Sequence, residues 1–118
     1  MTDMELLKEI VRVLDKKKAR NIKAIEITEH SIVADYFIIC SGTSNTHVKS
    51  LADEVEYELK EQGVAPYNIE GKATGWILLD YDSVVVHVFT KEAREYYNLE
   101  KLWADGEQID ISSLVTAD

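Results

Sequence analysis

The sequence is poor in cysteine, with Cys40 the single example among its 118 residues. One cysteine excludes a disulfide framework within the chain and a zinc site built from several cysteines. No apolar run reaches the roughly 18–20 residues that a membrane span needs. The first ten residues lack the basic and apolar segments of a signal peptide. We therefore expect a protein of a reducing compartment, the cytoplasm, with no membrane segment.

Positive charge is scarce in the second part of the chain. Residues 51–118 carry five Lys and Arg against fifteen Asp and Glu, whereas residues 1–50 carry eight against seven. The net charge of −9 therefore comes from the C-terminal part. An acidic surface repels phosphate backbones, which disfavours nucleic-acid binding through it and favours a basic protein partner. A merely solubilising surface is the alternative.

Apolar periodicity predicts a domain that alternates helices and strands. A helix follows the capping box formed by Thr2 and Glu5, and a second helix runs from the loop at residues 41–45 to about Gln62. The predicted strands cover residues 22–28, 36–40, 67–71, 76–80 and 83–89, and a last helix begins at Lys91. The order α-β-β-α-β-β-β-α predicts an α/β fold with a mixed sheet flanked by helices. We expect one domain at residues 1–106 and a loosely held tail at 107–118.

Two features suggest phosphate or metal chemistry, each with a simpler alternative. The loop at residues 41–45 joins a strand to a helix, where backbone N–H groups can bind phosphate. It lacks the Gly-x-Gly-x-x-Gly pattern and the P-loop lysine, so an ordinary turn and helix cap is the alternative. Asp80 and Asp82 could hold magnesium, but a predicted turn separates them.

The histidines and the cysteine do not form a catalytic or metal-binding pattern. The three histidines, His30, His47 and His87, show no spacing that places two ligands on one face. Cys40 lies in an apolar strand, which predicts a buried, unreactive thiol. We expect no metal, no cofactor and no catalytic residue.

The predicted hairpin at residues 76–89 indicates more about function than the histidines and the cysteine do. A two-residue turn at Tyr81 and Asp82 would pair Trp76 with His87. Strand alternation places one aliphatic set on a core-facing side: Ile77, Leu79, Val84, Val86 and Val88. The opposite side combines Trp76 and His87 with Leu78 and Asp80. This composition is typical of a recognition surface, although the last helix could instead cover Trp76 with Tyr97 or Trp103.

Several blocks resemble the ribosomal silencing factor (RsfS, or Iojap) family. They are ADYFIICSGTS at residues 34–44, Glu70-Gly71, GWILLDY at 75–81, VVVHVF at 84–89 and REYYNLEKLW at 94–103. The resemblance implies a nucleotidyltransferase-like fold that lacks the catalytic Gly-Ser and paired-carboxylate signature. It also implies a binding protein, not an enzyme, that attaches to large-subunit ribosomal protein fourteen. Bound there, it would block joining of the small subunit and repress translation.

The resemblance leaves related functions and several contact residues as expectations. Large-subunit assembly and a divergent nucleotidyltransferase-like enzyme are the alternative functions, and a homodimer is possible for the family. No membrane partner and no sequence-specific nucleic acid are expected. The candidate partner-binding residues are Trp76, Leu78, Asp80, Tyr81, Tyr97, Glu100 and Trp103.

Overall fold

The computed structural model describes residues 1–27, 34–71 and 75–116. Its elements are α1 (Asp3–Lys16), β1 (Arg20–Glu26), β2 (Tyr36–Gly42), α2 (Asn45–Glu61), β3 (Asn68–Glu70), β4 (Trp76–Asp80), β5 (Val84–Thr90), α3 (Lys91–Tyr97), α4 (Leu99–Leu102) and β6 (Glu107–Ile109). The predicted order is confirmed; the last helical segment is divided at Asn98 into α3 and α4, as its sequence predicts, and β6 is an addition. The predicted end of the first strand at Thr28, and also His30, lie outside the described residues. No helix in the described ranges is long and apolar enough to cross a membrane.

The strands form one mixed sheet in the order β3-β4-β5-β2-β1-β6. The central pair, β2 and β5, is parallel, and the other neighbours are antiparallel. In β2 every residue after Tyr36 is buried. A nearly continuous apolar strand has this burial because helices cover both faces of the sheet at its centre.

The two faces of the sheet are covered very differently. The long helices α1 and α2 bury one face, and the apolar stripe of α1 is confirmed as core: Leu6, Leu7, Ile10, Val11, Val13 and Leu14 are all buried. The capping box is also confirmed, because Thr2 and Glu5 each accept a hydrogen bond from the other's backbone N–H. Of the helices that the structure describes, only the short α3 and α4 lie over the other face, and neither contributes a buried residue.

The predicted hairpin register is wrong by two residues, while its face assignment is confirmed. Trp76 pairs with Phe89, not with His87. The N–H of Tyr81 donates to the carbonyl oxygen of Val84 at 2.9 Å, so the strands continue one residue further and the turn falls at residues 82–83. Asp82 supplies the turn with a φ of +71°. Because a shift of two residues preserves strand alternation, the aliphatic set still faces the core under α2.

The C-terminal segment differs from the expected loosely held tail. β6 pairs antiparallel with β1 along the edge of the sheet. Beyond it, Ile111 is only 9% exposed and packs into the main core. Thr116 donates two hydrogen bonds to the carboxylate of Asp15. The segment is held by this pairing with distant residues, which its own weak apolar pattern does not reveal.

Candidate protein-interaction face

The thinly covered face of the sheet carries a group of aromatic rings, which we call the aromatic face. Its members are Phe37, Trp76, His87, Phe89, Tyr97 and Trp103. The ring of Trp76 stacks on Phe89 with centroids 5.0 Å apart and touches Tyr97 at 4.6 Å. Trp103 meets Phe37 edge-on at 5.3 Å. Such offset and edge-to-face contacts are the favourable geometries for aromatic pairs, so the rings form a defined surface.

His87 holds the indole of Trp76 through a hydrogen bond. The Nε1–H group of Trp76 donates to Nδ1 of His87 at 3.1 Å. Burial lowers the pKa of His87 to about 4, so the ring is neutral at pH 7 and its proton lies on Nε2. Nε2 itself finds no hydrogen-bond partner among the described residues. The buried imidazole therefore acts as an acceptor that sets the orientation of Trp76.

The outer layer of the aromatic face remains open to solvent. Tyr97 is 48% exposed, and Trp76, Leu78 and Trp103 are half-buried. The alternative that the last helix covers Trp76 is confirmed in part, because Tyr97 lies against one side of the indole while apolar surface remains exposed. That this side is a recognition surface stays a prediction. A rigid, half-exposed aromatic cluster is suited to binding an apolar patch on another protein.

Acidic side chains lie at the β3–β4 side of the aromatic face. Asp80 shares the side of Trp76 on β4, and one of its carboxylate oxygens accepts the N–H of Asp82 at 2.8 Å. Glu70 pairs with Leu78 in the sheet register, and directly opposed residues project on the same side. Sequence reasoning did not select Glu70, because the register of β3 against β4 was needed to place it.

Glu100 does not extend this acidic edge. Its carboxylate accepts hydrogen bonds from Arg94 Nε at 2.7 Å and Lys23 Nζ at 2.9 Å. The hydrogen bond from Arg94, followed by that from Lys23, lowers the pKa of Glu100. The carboxylate of this candidate partner-binding residue is therefore engaged within the protein.

Tyr81 is a second correction to the predicted contact residues. It is 4% exposed and belongs to the core beneath α2. Strand alternation explains the placement, because Tyr81 follows Asp80 and so points to the opposite side of the sheet. Burial raises the pKa of its hydroxyl. The side chain is not accessible to a partner.

The features that suggested phosphate or metal chemistry have structural roles. In the loop at residues 41–45, the N–H of Thr43 donates to Nδ1 of His47 at 2.9 Å, and Ser44 caps α2 by accepting the N–H of His47. Within the described ranges no group of three or more His, Cys, Asp or Glu could hold a metal ion. Cys40 is buried as predicted, and burial raises its pKa to about 12.

Comparisons with known sequences identify the relatives of this chain. The family model for RsfS, ribosomal silencing factor during starvation, matches residues 1–118. A ribosomal silencing factor RsfS of Halalkalibacterium halodurans is 39% identical and covers 98% of this chain and 100% of the relative. That of Bacillus subtilis is 41% identical, over 94% and 95%. A mouse protein named for mitochondrial assembly of the ribosomal large subunit is 37% identical over 80% of this chain and 43% of its own length.

Solved structures show the same fold. A crystal structure of a Chromobacterium violaceum protein matches with a TM-score of 0.86 at 33% identity, covering 93% of this chain and 92% of that one. A crystal structure from Bacillus halodurans matches with a TM-score of 0.81 at 39% identity, covering 92% and 99%. These matches extend across the sheet and both helical layers.

Proposed function

The chain belongs to the RsfS family of ribosomal silencing factors, and we propose that it represses translation by binding large-subunit ribosomal protein fourteen. Bound there, it blocks joining of the small subunit. The observation that carries the proposal is the half-exposed aromatic face within a chain of this family. The protein then acts with the ribosomes in the cytoplasm.

The chemistry of the aromatic face supports a basic protein as the partner. Trp76 and Tyr97 offer a large, rigid contact area, and such residues dominate binding energy at protein interfaces. Asp80 and Glu70 add negative charge beside them, and the chain as a whole carries a net charge of −9. Ribosomal proteins are commonly basic, so complementary charge would steer the encounter.

Steric exclusion suffices as the mechanism and needs no catalytic group. The chain forms a body of 34 × 33 × 30 Å. A body of this size on the joining face of the large subunit would hold the small subunit away from its contacts. The inhibited and free states would then differ only in whether the protein is bound.

The test is binding to separated ribosomal subunits, with two tyrosine variants as a matched pair. Tyr97→Ala removes an exposed ring of the aromatic face, and Tyr57→Ala removes a 61% exposed ring from α2 on the opposite side. We expect the parent to co-sediment with large but not small subunits and to bind purified protein fourteen. Removal of an interface tyrosine costs about 2 kcal/mol of binding free energy, which corresponds to roughly 30-fold weaker binding. We expect this loss for Tyr97→Ala and not for Tyr57→Ala.

Equal co-sedimentation with both subunits, or equal effects of the two variants, would refute the proposal. A light-scattering measurement of subunit joining completes the test. A silencing factor must lower the amount of joined ribosomes in proportion to the fraction of large subunits that it occupies.

Large-subunit assembly is the second candidate, favoured by the name of the mouse relative. The same binding face would serve both functions. Comparing affinity for mature and immature large subunits separates them, since an assembly factor should prefer the immature particles.

A further inference from the structure

A cleft of about 760 Å³ lies where β1, the C-terminal end of β2 and α3 meet. In the described part of the chain, four cationic side chains line it: Arg20, Lys23, Lys91 and Arg94. Three carboxylates line it as well: Glu92, Glu95 and Glu100. Serine and threonine hydroxyls from the end of β2 complete the wall. The cleft thus collects positive charge on a chain that is acidic overall.

Arg94 forms the floor of this cleft. Its side chain is only 10% exposed, with Nε donating to Glu100 at 2.7 Å and Nη1 donating to Ser41 Oγ at 2.9 Å. The other terminal nitrogen, Nη2, donates to no residue in the described part of the chain. A guanidinium carries five N–H donors in a fixed planar fork. The protein therefore holds the fork rigidly and leaves one arm of it for a ligand.

The four cations and three carboxylates described along this cleft leave a local surplus of one positive charge. The single carboxylate of Glu100 is shared between Arg94 and Lys23. At the mouth of the cleft, Arg20 and Lys91 form no ion pair with any residue that the structure describes. A guanidinium held in place beside two exposed cations is suited to binding phosphate oxygens.

The positive surface continues beyond this cleft. An adjoining cleft of about 630 Å³ shares Arg20 and adds Lys16, Lys18 and Asp15, and Lys16 is paired with Glu58. Together the two clefts hold six of the thirteen Lys and Arg of the chain. Lys18 adopts a φ of +65°, in the left-handed region that side chains other than glycine rarely occupy. The turn that carries Lys18 and Arg20 is thus built with local backbone strain.

From this arrangement we infer that the basic cleft binds the phosphate backbone of RNA. The inference rests on the proposed function, and the RNA is ribosomal RNA beside the protein partner. Among the residues that the structure describes, no aromatic side chain lines either cleft. Base recognition uses stacking on aromatic rings, so the site is suited to backbone phosphates and not to a free nucleotide. Phosphate contacts carry no sequence information and instead fix the orientation of the bound protein.

The experiment compares two double variants that remove the same charge. The cleft variant, Arg20→Ala with Lys91→Ala, removes the two positive charges at the mouth of the cleft. The control variant, Lys8→Ala with Lys60→Ala, removes two exposed lysines of α1 and α2. Affinity for large subunits and for a fluorescent RNA duplex is measured across a salt series. We expect about tenfold weaker binding for the cleft variant alone, with the slope of log K against log salt shallower by about two.

Binding to purified protein fourteen provides the separate test of the proposed function, and the cleft variant should retain it in full. If the parent fails to bind protein fourteen while the cleft variant still weakens subunit and RNA binding, the proposed function fails and the cleft assignment stands. Salt slopes that are equal for the two double variants would overturn the cleft assignment. Displacement of the RNA duplex by ATP at micromolar concentration would overturn it too, because the site would then be a nucleotide site.

Discussion

Replacing Trp76 with alanine tests the aromatic face in both its structural and its binding roles. A fully buried Trp→Ala change costs about 3–5 kcal/mol of folding free energy. Trp76 is half-buried, so about 2 kcal/mol of that cost applies. Loss of the hydrogen bond to His87 adds about 1 kcal/mol. The variant should therefore be less stable by roughly 3 kcal/mol, which lowers Tm by roughly 12 °C in a domain of this size.

Trp76→Phe is the matched variant, because it keeps a ring against Phe89 and Tyr97 but removes the N–H donor. It should lose about 1 kcal/mol of stability. Thermal unfolding followed by circular dichroism at pH 7 measures both variants. Co-sedimentation with large subunits, carried out well below the lower Tm, measures binding of the folded protein. If Trp76 is a binding anchor, Trp76→Ala should also bind roughly 30-fold more weakly.

Two results would refute this reasoning. A Tm for Trp76→Ala within about 2 °C of the parent would mean that the stack on Phe89 and the bond to His87 contribute far less than their geometry implies. Normal subunit binding by folded Trp76→Ala would remove Trp76 from the interface. The contact would then have to be sought at Tyr97, Leu78 or Trp103.

Two further predictions concern stability. Burial lowers the pKa of His87 from an ordinary 6.5 to about 4, so below pH 6.5 the folded state binds fewer protons than the unfolded state. The folding stability linked to this residue is therefore complete above pH 6.5 and is lost as the pH falls from 6.5 toward 4. Chemical denaturation at pH 7 and pH 5 should show a loss of about 2 kcal/mol that is absent in His87→Phe, and equal losses would contradict the burial argument. In Gly106→Ala the new Cβ would lie 2.5 Å from Ile25 Cγ2, so we expect a cost of about 1–3 kcal/mol. Faster hydrogen exchange of the β6 amides should accompany it. Gly63→Ala meets no neighbouring atom and is strained only by its φ of +82° at the end of α2, so it should lower stability there without selectively exposing β6.

Local patterns determined much of this protein from the sequence alone. The stripe of α1, its capping box and the alternation along β4 and β5 are set by residues within a few positions of one another. These features predicted the mixed sheet, the aliphatic core side and the opposing side that carries Trp76. The family blocks added the functional class, because their order and spacing are properties of the sequence.

Tertiary structure decided what depends on residues far apart in the chain. The turn at Asp82 shifted the hairpin register, and strand alternation then placed Tyr81 in the core. The acidic edge needed the pairing of Glu70 with Leu78, and the charge of Glu100 is matched by Lys23 from a distant strand. The basic cleft likewise joins residues of β1, β2 and α3. Such groups meet because the central parallel pair of strands brings distant segments together, and no local periodicity encodes that meeting.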